Sequence, residues 1–185
     1  MTTPIGVMGS AGGVTLPLPG KDVLMEKASA LAQAIAKRKL LLLTGATTGI
    51  VYVVGKTAHD AGIFHLGISP ASDCREHVQQ YNLPLDACDV IVYTGFGLKG
   101  RNVVLVRSCE VVLFIAGAMG SLNEFTIAHD EGKVIGCLTG TGGVADEVDY
   151  LLKKFSKDTG AHVFQNEDPD KLLEDCLNEL QDRAR

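Results

Sequence analysis

The 185-residue chain has no tryptophan, and aromatic residues make up only 5% of it. Its five cysteines (Cys74, Cys88, Cys109, Cys137 and Cys176) are an odd number with no CxxC pair. That argues against a disulfide framework or a cysteine zinc site, and for a reducing compartment. Positive charge is not in excess either: 17 Lys+Arg against 22 Asp+Glu leave a net charge of −5. The chain therefore has no general electrostatic pull toward nucleic acid or anionic membrane, although a small local anion site is compatible with that balance. No apolar run approaches the roughly 20 residues needed to span a bilayer. The N-terminus, Met1-Thr-Thr-Pro-Ile5, has no basic stretch leading into an apolar one. These absences predict a cytoplasmic protein with no membrane segment and no nucleic-acid partner. The length suits one domain over residues 1–185.

Glycine is what the chain has in abundance: 21 residues, about 11%, against an average near 7%. Its placement depends on the elements around it. Short runs that are apolar on successive residues recur at Ile5–Met8, Leu40–Thr44, Phe64–Ser69, Val90–Thr94, Val111–Ile115, Val134–Leu138 and His162–Phe164. Strands buried on both faces read this way. Amphipathic segments lie between them, at residues 21–38, 121–131, 144–157 and 170–183, the last opened by Pro169. The alternation predicts an α/β fold, a Rossmann-like three-layer αβα sandwich around a mostly parallel sheet of about seven strands. Residues 70–89, with Pro70 and Pro84, are the least regular part and read as a surface loop or lid.

Thirteen of the glycines then fall just after a strand: Gly9, Gly12, Gly13, Gly45, Gly49, Gly95, Gly97, Gly100, Gly117, Gly120, Gly140, Gly142 and Gly143. Ligands of open α/β sheets bind outside the carboxyl ends of the strands. Glycine there lets the backbone approach a ligand, and the following helix offers free N–H groups to an anion. Two units echo each other. Thr44-Gly-Ala-Thr-Thr-Gly49 leads to Ala58-His-Asp-Ala-Gly62, and Ala116-Gly-Ala-Met-Gly120 leads to Ala128-His-Asp-Glu-Gly132. Gly62 and Gly132 read as left-handed helix endings, with His59 and His129 in the last turn rather than as metal ligands.

The segment from Gly95 to Glu124 carries the chemistry. Arg101 opens a helix after a glycine turn, and its guanidinium suits phosphate or carboxylate. Glu124 follows a second glycine turn. Brought into one cleft by adjacent strand ends, an anion-binding Arg and a proton-exchanging carboxylate suit nucleotide cleavage. Ser121-Leu-Asn-Glu124 also has the form of a capping box, with Ser121 at the N-cap and Glu124 at the third helical position. Local sequence leaves both roles open. Arg107 lies on another face of the same helix, as a structural ion-pair partner would. An apolar face at Val103–Val106 reads as a candidate interface.

Residues 5–140 resemble the LOG family, the cytokinin-activating nucleotide phosphoribohydrolases. Their signature is an Arg helix followed by P-G-G-x-G-T-x-x-E, which here reads Ala116-Gly-Ala-Met-Gly-Ser-Leu-Asn-Glu124. The resemblance implies a homodimer or homotetramer that cleaves adenine-type nucleoside 5′-monophosphates to free base and ribose 5-phosphate. It makes Arg101 and Glu124 catalytic. The implied ligand contacts are Gly9, Ser10, Gly45, Thr48, Gly49, Gly97, Gly117, Ala118, Met119, Gly120 and Ser121, with no metal. Hydrolysis would need no added cofactor. Ala116, Ala118 and Asn102 depart from the enzymes' Pro, Gly and Lys. In this the chain is similar to molybdenum cofactor carrier proteins, which implies a bound nucleotide or molybdenum cofactor and a small phosphorylated partner.

Overall fold

Strands β1 (Pro4–Gly9), β2 (Leu41–Thr44), β3 (His65–Ser69), β4 (Val90–Tyr93), β5 (Val111–Ile115), β6 (Val134–Leu138) and β7 (His162–Asn166) form one sheet in the computed structural model, which describes residues 2–12, 20–155 and 157–184. Between and after them run α1 (Lys21–Lys37), α2 (Ile50–Asp60), α3 (Cys74–Gln79), α4 (Gly97–Arg107), α5 (Met119–Asp130), α6 (Val144–Phe155) and α7 (Pro169–Arg183). All pairings are parallel, in the order β4-β3-β2-β1-β5-β6-β7. This is the expected Rossmann-like α/β sandwich.

The consecutive apolar residues are explained by the two helical layers. In β5, Val111, Leu113 and Ile115 join a core with residues of α1, α2 and α7, while Val112 and Phe114 join another with residues of α4, α5 and α6. Phe114 meets Phe125 of α5 edge to face, with ring centres 5.7 Å apart. The edge strand β4 is only half covered, and Val90 and Val92 remain exposed. No helix among the described residues is long and apolar enough to cross a membrane.

Several expectations need correction. Residues 74–79 of the irregular stretch form α3, because Asp73 caps Glu76 N–H at 2.8 Å while the Glu76 carboxylate accepts from Ser72 N–H at 2.7 Å. Helix α4 starts at Gly97, so Arg101 sits in its second turn rather than opening it. Of the apolar stretch at Val103–Val106, only Val103 is exposed; Leu105 and Val106 are in the core. Strands β4 and β5 are not neighbours: the chain leaves the β4 edge and crosses back through α4 to place β5 against β1. The capping box at Ser121–Glu124 does not form. Ala118 is the N-cap of α5, which puts Ser121 at the third helical position and Glu124 a full turn deeper. The carbonyls of Ala116 and Gly117 accept from Ala145 N–H and Val144 N–H at 3.0 Å each. Those bonds pin the preceding turn and set where the helix begins.

Candidate functional site

The β4-to-β5 crossover makes the gap between β1 and β5 the switch point of the sheet. Chain leaves the carboxyl ends of these neighbours in opposite directions, which opens a crevice. A cavity of about 180 Å³ lies there, between the ends of β1 and β2, α4 and the start of α5. Gly9, Gly45, Arg101, Ala118, Gly120, Ser121 and Glu124 all line it. Arg101 and Glu124 both come from the helical layer that also carries α6.

Arg101 and Glu124 face each other with Nη1 3.5 Å from Oε1, and each side chain is less than a tenth exposed. That separation is loose for a charge-assisted hydrogen bond. Arg101 Nε is buried and has no hydrogen-bond partner. Burial disfavours the charged guanidinium, and the Glu124 charge only partly offsets that. The same burial pushes the Glu124 carboxyl up to about 7, against the opposing pull of Arg101 and Lys99. Asn102, turned so that its NH2 faces acceptors, donates to Glu124 Oε1 and to Leu98 O at 3.0 Å each. The pair is thus an incompletely satisfied cation beside a carboxyl that exchanges its proton near neutrality.

The turns show why particular residues stand where they do. A side chain at Gly45 would collide with the Arg101 guanidinium. Gly49 precedes α2 at φ 75° and packs on the backbone of Ser10 and Ala11. Ser10 is buried; its hydroxyl accepts from Gly117 N–H at 3.0 Å and its carbonyl from Ile50 N–H at 3.0 Å. Thr48 Oγ1 accepts from Gly12 N–H at 3.1 Å. Ser10, Thr48, Gly49 and Gly117 therefore tie the loops together behind the cavity. Gly97 and Met119 lie outside its lining, and Met119 is 75% exposed. Gly13 falls outside the described residues.

Ala116 adopts φ 53°, and its N–H donates to Thr141 Oγ1 at 2.8 Å. Proline could supply neither that dihedral nor that donor, which accounts for the first departure from the enzyme signature. Ala118 is extended (φ −121°), so its methyl is accommodated without a glycine-only backbone. The N–H groups of Met119, Gly120 and Ser121 are in the first turn of α5 and have no partner within the helix. The turn at residues 139–143 differs. There Asp146 accepts from Gly140 N–H and Gly142 N–H at 2.8 Å each, so its own carboxylate fills the place an anion would take.

Lys99 was missed by sequence reasoning. It lines the cavity and reaches toward Gly120 at the start of α5. It stands two residues before Arg101, an offset that a helix beginning at Arg101 would have left in the loop. Arg107 pairs with Glu131 through Nε at 2.8 Å and Nη2 at 2.7 Å, clasping α4 to the end of α5. His59 bonds Asp89 at 3.3 Å, and Gly62 and Gly132 hold positive φ, as helix endings do.

Comparison with known proteins places this geometry among relatives. An uncharacterized protein of Archaeoglobus fulgidus is 27% identical over 108 residues, 58% of this chain; the chain spans about two thirds (66%) of that relative's length. The structure of TM1055 superposes with a TM-score of 0.82 at 24% identity, covering 96% of this chain and 99% of that one. The molybdenum cofactor binding protein of Rippkaea orientalis superposes with a TM-score of 0.70 at 25% identity, covering 100% of this chain and 99% of that one. Residues 2–173 match the SLOG cluster4 family, and the chain belongs to it.

Proposed function

We propose that the protein is a carrier or sensor that binds a phosphate-bearing small molecule in the crevice between β1 and β5. The observation that carries this reading is Arg101: a buried guanidinium with an unpartnered Nε, loosely held by Glu124 and lining the same cavity as Lys99. An anion bound there would meet two cations, Arg101 and Lys99, and face the first-turn N–H groups of α5. The cavity is smaller than the roughly 300–1,000 Å³ of whole-ligand pockets. It suits the phosphate end of a ligand whose remainder extends outward past Leu98. Molybdenum cofactor is the first candidate, supported by the Rippkaea orientalis relative. Its phosphate would sit on Arg101, Lys99 and the α5 start; the metal would supply redox chemistry to an acceptor enzyme, not to this chain.

One observation favours a hydrolytic reading. A carboxyl near pKa 7 beside a guanidinium can exchange a proton with a leaving base or a water, as cleavage of an N-glycosidic bond requires. In that reading Arg101 orients a nucleoside 5′-monophosphate and Glu124 acts on the ribose side.

Calorimetry and melting curves with AMP and with molybdopterin-type ligands test the site, with chromatography of the mixtures for free base. A ligand at 100 times its Kd should stabilise the protein by about 2.7 kcal/mol, and Arg101→Ala should remove that gain. Stabilisation without base release supports the carrier. Release of adenine that Glu124→Gln abolishes supports the hydrolase. If no phosphorylated compound alters melting even at high concentration, both readings fail.

A further inference from the structure

Two buried histidines outside the cavity lining, His65 at the start of β3 and His77 in α3, bond the hydroxyl residues that end β2 and β3, in networks of the same form. At the first, His65 Nδ1 meets the carbonyl of Ala87. A carbonyl only accepts, so Nδ1 carries the proton and Nε2 is the acceptor. Thr44, the last residue of β2, donates its hydroxyl to His65 Nε2 at 2.8 Å and accepts from Ala46 N–H at 3.2 Å. At the second, His77 Nε2–H donates to Pro84 O at 3.1 Å. Ser69, the last residue of β3, donates to His77 Nδ1 at 2.8 Å and accepts from Ala71 N–H at 3.1 Å. All four side chains are at most 1% exposed.

Each network therefore links the same series of groups: backbone N–H two residues past the strand, hydroxyl, imidazole, then a carbonyl of the 84–87 segment. The first ends on a turn that lines the cavity through Gly45, the second on a turn that holds the start of α4. The Thr44 network holds the turn through Ala46, whose φ of 47° is one that L residues rarely adopt. Gly45, inside that turn, is the backbone against which the Arg101 guanidinium packs. The Ser69 network holds the turn at residues 69–71. That turn's carbonyls receive Gly95 N–H on Ala71 at 2.8 Å and Gly97 N–H on Pro70 at 3.0 Å. Those bonds fix the entry to α4, the helix that bears Lys99 and Arg101. One network thus sets the surface under the guanidinium, and the other sets the helix that delivers it.

We propose that Thr44–His65 and Ser69–His77 are positioning pairs for the anion site, holding Arg101 in the geometry that receives a phosphate. The proposal rests on the function proposed above for that site. It adds four residues that touch no ligand and act through the two turns. It also gives the 84–87 segment a purpose, as the carbonyl anchor of both imidazoles.

The test compares the full chain with Thr44→Val, Thr44→Ser and Ser69→Ala. Thr44→Val keeps the shape of the side chain but removes the hydroxyl; Thr44→Ser restores it. Arg183→Ala serves as a control, since Arg183 bonds Gly132 O and Gly160 O at the opposite end of the sheet. AMP affinity is measured by calorimetry well below the melting temperature of every variant. Thr44→Val and Ser69→Ala should bind AMP about tenfold more weakly, the lower end of what losing an orienting partner costs at metal sites. Thr44→Ser should bind as wild type, and Arg183→Ala should melt earlier with its affinity intact. Weakening confined to melting temperature, with AMP affinity unchanged in Thr44→Val and Ser69→Ala, overturns the proposal. If wild type binds no AMP, the hydrolytic reading is what fails, and the nitrogen-15 spectrum of the Arg101 Nε–H still decides this inference. A signal displaced in Thr44→Val and restored in Thr44→Ser sustains it. A signal identical in all variants overturns it.

Discussion

Glu124 gives the site a pH dependence whose sign can be worked out. Its pKa is raised by burial from the ordinary 4.5 to about 7. Below pH 4.5 the folded and unfolded chains both hold the proton. Between there and about 7 the unfolded chain releases it while the folded chain keeps it, so stability falls as pH rises through that window and then levels off. Glu124→Gln removes the titration. The melting temperature of wild type relative to Glu124→Gln should therefore decline across that window, a comparison that cancels every other titrating group. AMP affinity should follow: above pH 7 the ionised carboxylate competes with the anion for Arg101, and the advantage of the Gln variant should grow. At this scale the sequence told part of the story. Arg101 and Glu124 were visible because their spacing matches a known signature. The near-neutral carboxyl was not, because a raised pKa comes from burial by residues distant in sequence. Lys99 was hidden by misplacing the start of one helix.

Among the elements, legibility followed local chemistry. Helix α7 was readable from Pro169, and Asp168 caps it through Asp170 N–H at 2.9 Å and Lys171 N–H at 3.3 Å. Replacing Asp168 with Ala should cost about 1 kcal/mol in denaturant unfolding, with no change in AMP affinity. The start of α5 misled for an instructive reason. Ser121-x-x-Glu124 has the local form of a cap, but hydrogen bonds from Val144 and Ala145 fix the preceding turn and begin the helix at Met119 instead. A long-range constraint overrode a short-range pattern, and it freed Glu124 to face the cavity. In α3 the short-range signal, Asp73 followed by Glu76, was sound and went unread among prolines. Arg107–Glu131 shows an ion pair that serves packing alone. Arg107 is 64% exposed in its side chain, so Arg107→Ala should barely change melting or affinity.

For the molecule as a whole, the fold class was readable because seven apolar runs alternate with helical ones, whereas strand order was not, since nothing in a run of valines and leucines says which strand is its neighbour. Thiol chemistry offers an independent check on the packing. Cys74 is exposed, while Cys109, Cys137 and Cys176 are buried, and burial holds Cys88 at about 12. Brief alkylation of the native protein should modify Cys74 alone, and five thiols should react in denaturant; rapid labelling of a second site would contradict the packing described. The position of β1 has a further consequence, for the time course of folding. Each strand from β2 to β4 lies beside its predecessor, so these pairings close over short stretches of chain. Ile5 and Val111, by contrast, are adjacent across a junction that must wait for most of the chain to be in place. The crevice belongs to that junction. A ligand added to refolding protein would thus report a long-range step, the joining of two halves, rather than the formation of either.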